Sequence, residues 1–147
     1  MGYSWVFAQA LLFVAYGLAL VYGAESAWGL WRWLGALLMG LGAWVGIAAL
    51  RLHGRLLTPL PEPNRALGLK REGVYAFIRH PMYTGVLLLA FGGAIVQQKP
   101  LGIAAAVALT VFFQLKAREE ERRLQRRYPE YADYQRMTGR FLPRWRQ

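Results

Sequence analysis

The sequence predicts an all-α integral membrane protein with four transmembrane helices, a cytoplasmic loop and a C-terminal amphipathic helical tail. Its 147 residues suit one membrane domain, 1–147, and they are 56% hydrophobic yet 18% charged. Those two kinds of residue are segregated. Of 18 Lys and Arg only Arg32 precedes residue 51, and of eight Asp and Glu only Glu25 does. An almost uncharged segment followed by a strongly basic one excludes an ordinary water-soluble globule and a disordered chain. The absence of cysteine excludes a disulfide framework, a thiolate metal site and a cysteine nucleophile.

The first helix is expected over about 3–22. Tyr3 to Tyr22 carries no charge, and at about 1.5 Å per residue it reaches roughly one hydrocarbon thickness. It lacks the basic start of a signal peptide, and a second apolar run follows at once. That second helix is expected over about 28–50, with Arg32 snorkelling to the interface beside Trp28, Trp31 and Trp33. Gly42 and Gly46, four apart, share a face and permit close helix contact. Pro81 opens the third helix (about 81–97) and Pro100 the fourth (about 100–128). Only Gln98 and Lys99 separate them, so they form an antiparallel hairpin. Their apolar runs, Pro81 to Gln97 and Pro100 to Leu115, are short for a span; a locally thinned bilayer accommodates them, and a re-entrant hairpin is the less favoured alternative.

Orientation follows from the loops. Residues 51–80 hold Arg51, Arg55, Arg65, Lys70, Arg71 and Arg79, and ten more Lys and Arg follow Leu115. The loops near residues 25 and 98 hold almost none. The positive-inside rule places the middle loop, the tail and both termini in the cytoplasm. Thr58 to Pro63 reads as extended chain. Pro129 can start a short tail helix that Gly139 ends. Tyr128, Tyr131 and Tyr134 recur at helical spacing and read as an interfacial aromatic belt. The basic tail suits anionic lipid headgroups better than nucleic acid.

Chemistry concentrates at the cytoplasmic end of the hairpin. One cluster is Tyr75, Arg79, His80 and Tyr83 around Pro81; the other is Lys116, Arg118, Glu119, Glu120 and Glu121. The antiparallel geometry brings them together across a small gap. Each cluster opposes its helix dipole, by about 0.3–1 kcal/mol. Two readings stay open. The clusters neutralise each other as a salt-bridge network, or they hold a zwitterion, its carboxylate at the cations and helix amides and its ammonium at the carboxylates. Glu119 reads as solvated. His53 and His80 are too few for a metal site. No strand with a glycine fingerprint, phosphate-cradling loop or Ser–His–Asp arrangement is present in the sequence.

Gly73-Val-Tyr-Ala-Phe-Ile-Arg-His-Pro-Met-Tyr-Thr-Gly85, then Glu120-Glu-Arg-Arg-Leu124, then the three tyrosines and Arg140-Phe-Leu-Pro143, resemble the isoprenylcysteine carboxyl methyltransferase and phospholipid methyltransferase superfamily of integral membrane enzymes. The resemblance covers about residues 56–143. It implies a methyltransferase using S-adenosyl-L-methionine, with the cofactor-site region at about 67–85 and 116–134. Carried over by position, Leu69, Lys70, Tyr75, His80, Pro81, Met82, Tyr83, Glu120 and Glu121 are the cofactor-binding residues. Glu120, Lys116 and Arg118 are the candidates for the transfer itself. Lys116 stands where the family often has an arginine implicated in substrate binding, and Arg118 is offset from that place. Gly85 would let the backbone approach the cofactor. The implied acceptor is lipid-like or a small amphipath, with the isoprenylcysteine carboxylate type favoured, and the partners are membrane lipids rather than nucleic acid.

Two other readings are weaker. Sterol-reductase-like membrane enzymes share the hairpin and bind NADPH, but typically read Arg-His-Pro-Asn-Tyr with an acidic residue after the glycine; Met82 and Val86 stand at those places. A non-enzymatic membrane scaffold or transporter predicts functional polar groups at mid-membrane, where Gln9, Thr84, Thr110 and Gln114 are sparse and uncharged.

Overall fold

The computed structural model describes residues 2–53, 69 and 71–144. Five α-helices follow in order: α1 (Gly2–Tyr22), α2 (Trp31–His53), α3 (Pro81–Val96), α4 (Pro100–Arg127) and α5 (Tyr131–Met137), with a 3-10 turn at Gly73–Ala76. No β-strand occurs among the described residues. α1, α2 and α4 are long and apolar enough to cross a membrane, and α3 is a shorter apolar helix. Lys70 and the Thr58–Pro63 stretch lie outside the described residues.

The second helix begins three residues later than the sequence suggests. Gly29 adopts a left-handed φ of 56°, and the Trp31 amide donates to the Trp28 carbonyl at 3.2 Å. That closes a turn only a glycine takes without strain, so Trp28 stays outside the helix. The connection between α3 and α4 is as tight as expected, with Gln98 also left-handed at φ 56°.

The helices pack laterally in the order α2, α3, α4, α1. The α2–α3 contact is backbone to backbone. A Cβ on Gly85 would lie 2.9 Å from the Gly42 carbonyl oxygen and 3.0 Å from the Gly46 Cα. Gly85 therefore serves helix packing and not approach to a cofactor, which corrects the sequence reading. Between α3 and α4 lies the core of Leu87, Ala90, Ala106, Leu109, Phe112 and Phe113, which Trp5, Leu12 and Tyr16 of α1 cover from one side. Leu11, Val14 and Leu18 of α1 and Leu37, Leu41 and Trp44 of α2 point outward, as lipid-facing residues do.

Each end of the bundle is closed by polar contacts. At the hairpin turn, the buried Lys99 donates through Nζ to the Gly23 carbonyl at 2.7 Å and pairs with Glu25 at 3.2 Å. The Ser26 amide donates to the Gln98 carbonyl at 2.8 Å, and the Trp28 amide to Gln98 Oε1 at 2.7 Å. At the opposite end, α4 has 28 residues, about 42 Å of helix. That exceeds a hydrocarbon core of roughly 30 Å, so its charged last turns stand outside. α5 then folds back, and residues 138–144 form a strap. Ile78 and Gly139 make an isolated parallel bridge. The Arg79 amide donates to the Gly139 carbonyl at 2.8 Å and the His80 amide to the Arg140 carbonyl at 3.1 Å.

Tyr131 and Tyr134 are 1% and 3% exposed, so they are packing residues under α5 and not members of an interfacial belt. The Tyr134 hydroxyl donates to the Tyr75 carbonyl at 2.7 Å. Their period of three faces the protein; periodicity alone does not distinguish that from facing lipid.

Candidate functional site

Pro81 fixes the start of α3 and leaves His80 at its N-cap position, with no side chain capping the helix. The strap pins the two residues before it, so Arg79 and His80 are placed by backbone pairing on one side and by the helix on the other. Across from them, α4 presents adjacent carboxylates. Glu120 and Glu121 are about 100° apart around the helix, which sends them into different surroundings.

Glu121 is saturated. It pairs with Arg79 Nε at 2.9 Å and with Arg140 Nη2 at 2.6 Å. The Gln135 amide donates to its Oε2 at 3.2 Å, and His80 Nε2 lies 3.3 Å from its Oε1. Burial pushes its carboxyl up, but the hydrogen bonds from His80, Arg140 and Arg79 outweigh that and hold it well below the usual carboxylate range. The arginines are themselves tied down. Arg79 donates to the carbonyls of Gln135, at 3.0 Å, and Thr138. Arg140 donates to Gln114 Oε1 on α4 at 3.1 Å. These contacts join the two clusters in a salt-bridge network centred on Glu121.

Glu120 keeps lighter company. The Tyr83 hydroxyl donates to its Oε1 at 2.5 Å, and His80 Nδ1 lies 3.5 Å from its Oε2. Its side chain is 18% exposed against 4% for Glu121. Burial pushes its carboxyl up, against the lowering pull of His80, of the Tyr83 hydrogen bond and of Lys116. His80 stacks on Tyr83 with centroids 5.4 Å apart, Tyr83 stacks on Phe113 at 4.6 Å, and Phe141 of the strap meets His80 edge-on at 6.1 Å. The Thr84 hydroxyl donates to the Phe141 carbonyl at 2.8 Å.

The other expected site residues divide. Tyr75 is buried in the 3-10 turn, Pro81 is buried and Met82 half-buried at the start of α3, and Leu69 is half-buried ahead of the 3-10 turn. Lys116 is 2% exposed. Its ammonium donates to Gln9 Oε1 of α1 at 2.7 Å and lies 5.5 Å from the Tyr83 ring centroid. Arg118 is exposed and is not brought to the site; two positions after Lys116, it falls on the far side of α4. Glu119 is not simply solvated, because it pairs with Arg123 at 2.9 Å along the helix.

Sequence reasoning missed Arg140 and Gln135 as partners of Glu121, Gln9 as the partner of Lys116, and Phe141 as an aromatic wall. The one available signal was Arg140-Phe141 in the tail motif; nothing local marks Gln9.

The arrangement offers a lightly partnered carboxylate, an uncapped helix N-terminus and aromatic faces in one place, at a membrane border. The family model for phospholipid methyltransferases matches residues 30–131. The chain is 33% identical over 133 residues to the cobalt-zinc-cadmium resistance protein CzcN of Cupriavidus metallidurans, covering 89% of this chain and 60% of that protein. It is 29% identical over 114 residues to the protein-S-isoprenylcysteine O-methyltransferase of Saccharomyces cerevisiae, covering 75% of this chain and 48% of the yeast protein. A solved structure of the eukaryotic intramembrane Ras methyltransferase, isoprenylcysteine carboxyl methyltransferase, superposes with a TM-score of 0.69 at 27% identity, over 95% of this chain and 52% of that one. The chain thus spans about half to three-fifths of the length of these relatives. On the family match and the shared fold together, the chain belongs to the phospholipid methyltransferase family of integral membrane proteins.

Proposed function

We infer that the protein transfers a methyl group from S-adenosyl-L-methionine to a lipid-like or small amphipathic acceptor at the cytoplasmic membrane surface. The observation that carries this reading is the meeting of His80 and Tyr83 with Glu120, all three within the stretch matched by the family model. When bound, the cofactor supplies an activated methyl on a sulfonium, together with an ammonium and a carboxylate. The residues present fit both signs. Glu120 takes the cationic portion, held in place by the Tyr83 hydroxyl at 2.5 Å and His80 Nδ1 at 3.5 Å. The uncapped amides of the α3 N-terminus take the carboxylate. Leu69, Tyr75, Pro81 and Met82 line the remainder, and His80 and Tyr83 orient Glu120.

Methyl transfer is an in-line displacement, so positioning supplies much of its acceleration. The Glu121 cluster serves that end by fixing the loop before α3. A carboxylate acceptor of the isoprenylcysteine type needs no general base. An amine must first lose a proton, which Glu120 or His80 can accept. Lys116 lies on the membrane side of Glu120 and there anchors an acidic or phosphate-bearing acceptor as a point charge.

The test is calorimetric titration of the detergent-purified protein with S-adenosyl-L-methionine and, separately, with NADPH. The expected result is saturable binding of the first alone. Tight NADPH binding without S-adenosyl-L-methionine binding would overturn the assignment in favour of a reductase.

A further inference from the structure

One row of side chains on α4 stays exposed from the apolar part of the helix into its charged part, and its chemistry changes at a single step. Val107 is 50% exposed, Val111 55% and Leu115 48%. Arg118 and Arg122 continue the row and are exposed as well. Steps of four, four, three and four residues keep all five within about 80° of arc around the helix. Glu120 lies about 180° from the middle of that row, so the row faces away from the candidate site.

Depth follows from helical rise. The headgroup zone adds about 5–8 Å to each side of the hydrocarbon. Arg118 stands about 4–5 Å beyond Leu115 along the axis, and Arg122 about 10 Å. Side chains on a helix lean towards its N-terminus, which for α4 is back towards the bilayer, so both guanidinium heads are brought to the level of lipid phosphates. Neither is drawn off by a close carboxylate on α4. Arg122 is 71% exposed at its side chain, and its contact with Glu119 is a long one at 3.9 Å. Glu119 is itself held by Arg123 at 2.9 Å. Four residues apart, Arg118 and Arg122 are neighbours on the helix surface, a spacing from which two guanidiniums can donate to one phosphate.

We propose that this row is a binding site for one anionic phospholipid of the surrounding bilayer: Val107, Val111 and Leu115 seat an acyl chain, and Arg118 and Arg122 hold the phosphate. Two cations facing one lipid favour a headgroup that brings no ammonium of its own. The bound lipid fixes the depth of α4, the helix that carries Glu120 and Glu121. The inference does not depend on which reaction the site performs, because the lipid sits on the far side of α4 from Glu120.

The chain has no cysteine, so a single introduced thiol reports one position. Leu115→Cys is labelled with a small fluorophore and reconstituted into phosphatidylcholine containing phosphatidylglycerol. Quenching is compared when one lipid or the other carries brominated acyl chains. Leu37→Cys, on the outward face of α2 two helices away, reports the bulk lipid. The expected result is a preference for phosphatidylglycerol of at least about fivefold at position 115, the scale set by one arginine at an anionic surface, and none at position 37. Arg118→Ala with Arg122→Ala should bring position 115 to the value at 37, and Arg118→Lys with Arg122→Lys should keep most of the preference. Equal quenching by the two lipids at position 115 would overturn the proposal. So would absence of quenching there by either lipid, since another protein surface would then cover the row. A preference that survives both alanines would overturn the assignment to these arginines. Relief of the quenching by glycerol phosphate in solution would overturn the lipid in favour of a free phosphate.

Discussion

The two ends of the helix bundle use the same kind of residue for different ends. At the hairpin turn, one lysine and one glutamate join two loops. Lys99 is buried, while Glu25 is 73% exposed at its side chain, and the remaining bonds run to backbone carbonyls and to Gln98. Every group there is spent on connection. At the other end, two arginines and a histidine converge on Glu121, which leaves Glu120 beside it with a phenol and an imidazole. A count of charges near the membrane does not separate a clasp from a site. What separates them is whether a charged group remains incompletely matched after the fold has formed, and saturation of one carboxylate is what leaves its neighbour available.

The largest expected effect tests the saturated side of that contrast. Glu121→Ala strands two arginines in a cluster built for a carboxylate, and losing one partner of a buried ion pair costs about 3–5 kcal/mol. Thermal melting in detergent should show a large fall. Glu25→Ala at the opposite end should cost less than about 1 kcal/mol, because that carboxylate is largely in solvent. Comparable losses would erase the distinction between the ends.

Glu120 should behave in the opposite manner. Glu120→Gln is expected to melt at or above wild type at neutral pH while weakening S-adenosyl-L-methionine binding at least tenfold, about 1.4 kcal/mol. Calorimetry and melting on the same sample separate the two quantities. His80→Ala should lose similar affinity with some stability as well, since its ring bridges both carboxylates.

Acid titration sharpens the comparison further. Glu121 is held below its unfolded value of about 4.3, so its stabilisation is present above that pH and fades as pH falls towards the folded value. Glu120 is held above its unfolded value, so it costs stability at neutral pH, and the cost is relieved as pH falls through the raised value. Melting curves between about pH 3 and 8 should therefore lose part of the acid-side decline in Glu121→Gln. In Glu120→Gln the decline should become steeper. The same change of slope in both variants would mean the pair is not divided as described.

The smallest effect concerns the acceptor. Lys116→Ala should raise the acceptor KM or lower turnover with cofactor affinity nearly intact, while Lys116→Arg retains activity. Equal loss of both quantities would make Lys116 a structural tie between α1 and α4.

How far the sequence was legible depended on distance along the chain. Uncharged runs located the helices, because a bilayer leaves the backbone no alternative to helix there. The start of α2 moved to Trp31 because Gly29 takes a turn that the run of tryptophans obscured. Arg79, His80 and Glu120 were visible as a meeting because a two-helix hairpin with a two-residue turn fixes its own register. Arg140 meeting Glu121 depends on how α5 folds back over 19 residues, and Gln9 meeting Lys116 depends on packing between segments 107 residues apart. Neither leaves a periodic trace. Gly85 was misread for a related reason: a glycine records that something approaches, and only the packing says whether it is a ligand or a helix.

The parallel bridge between Ile78 and Gly139 has a consequence for how the molecule is made. Synthesis delivers Arg79 first, Glu121 forty-two residues later and Arg140 nineteen after that. A nascent chain that has already inserted all four apolar helices therefore still holds Glu121 short of one of its cations, with the loop before α3 unpinned. The site acquires its final geometry only when the strap is laid down, so maturation of this end of the bundle waits on residues made after every apolar helix.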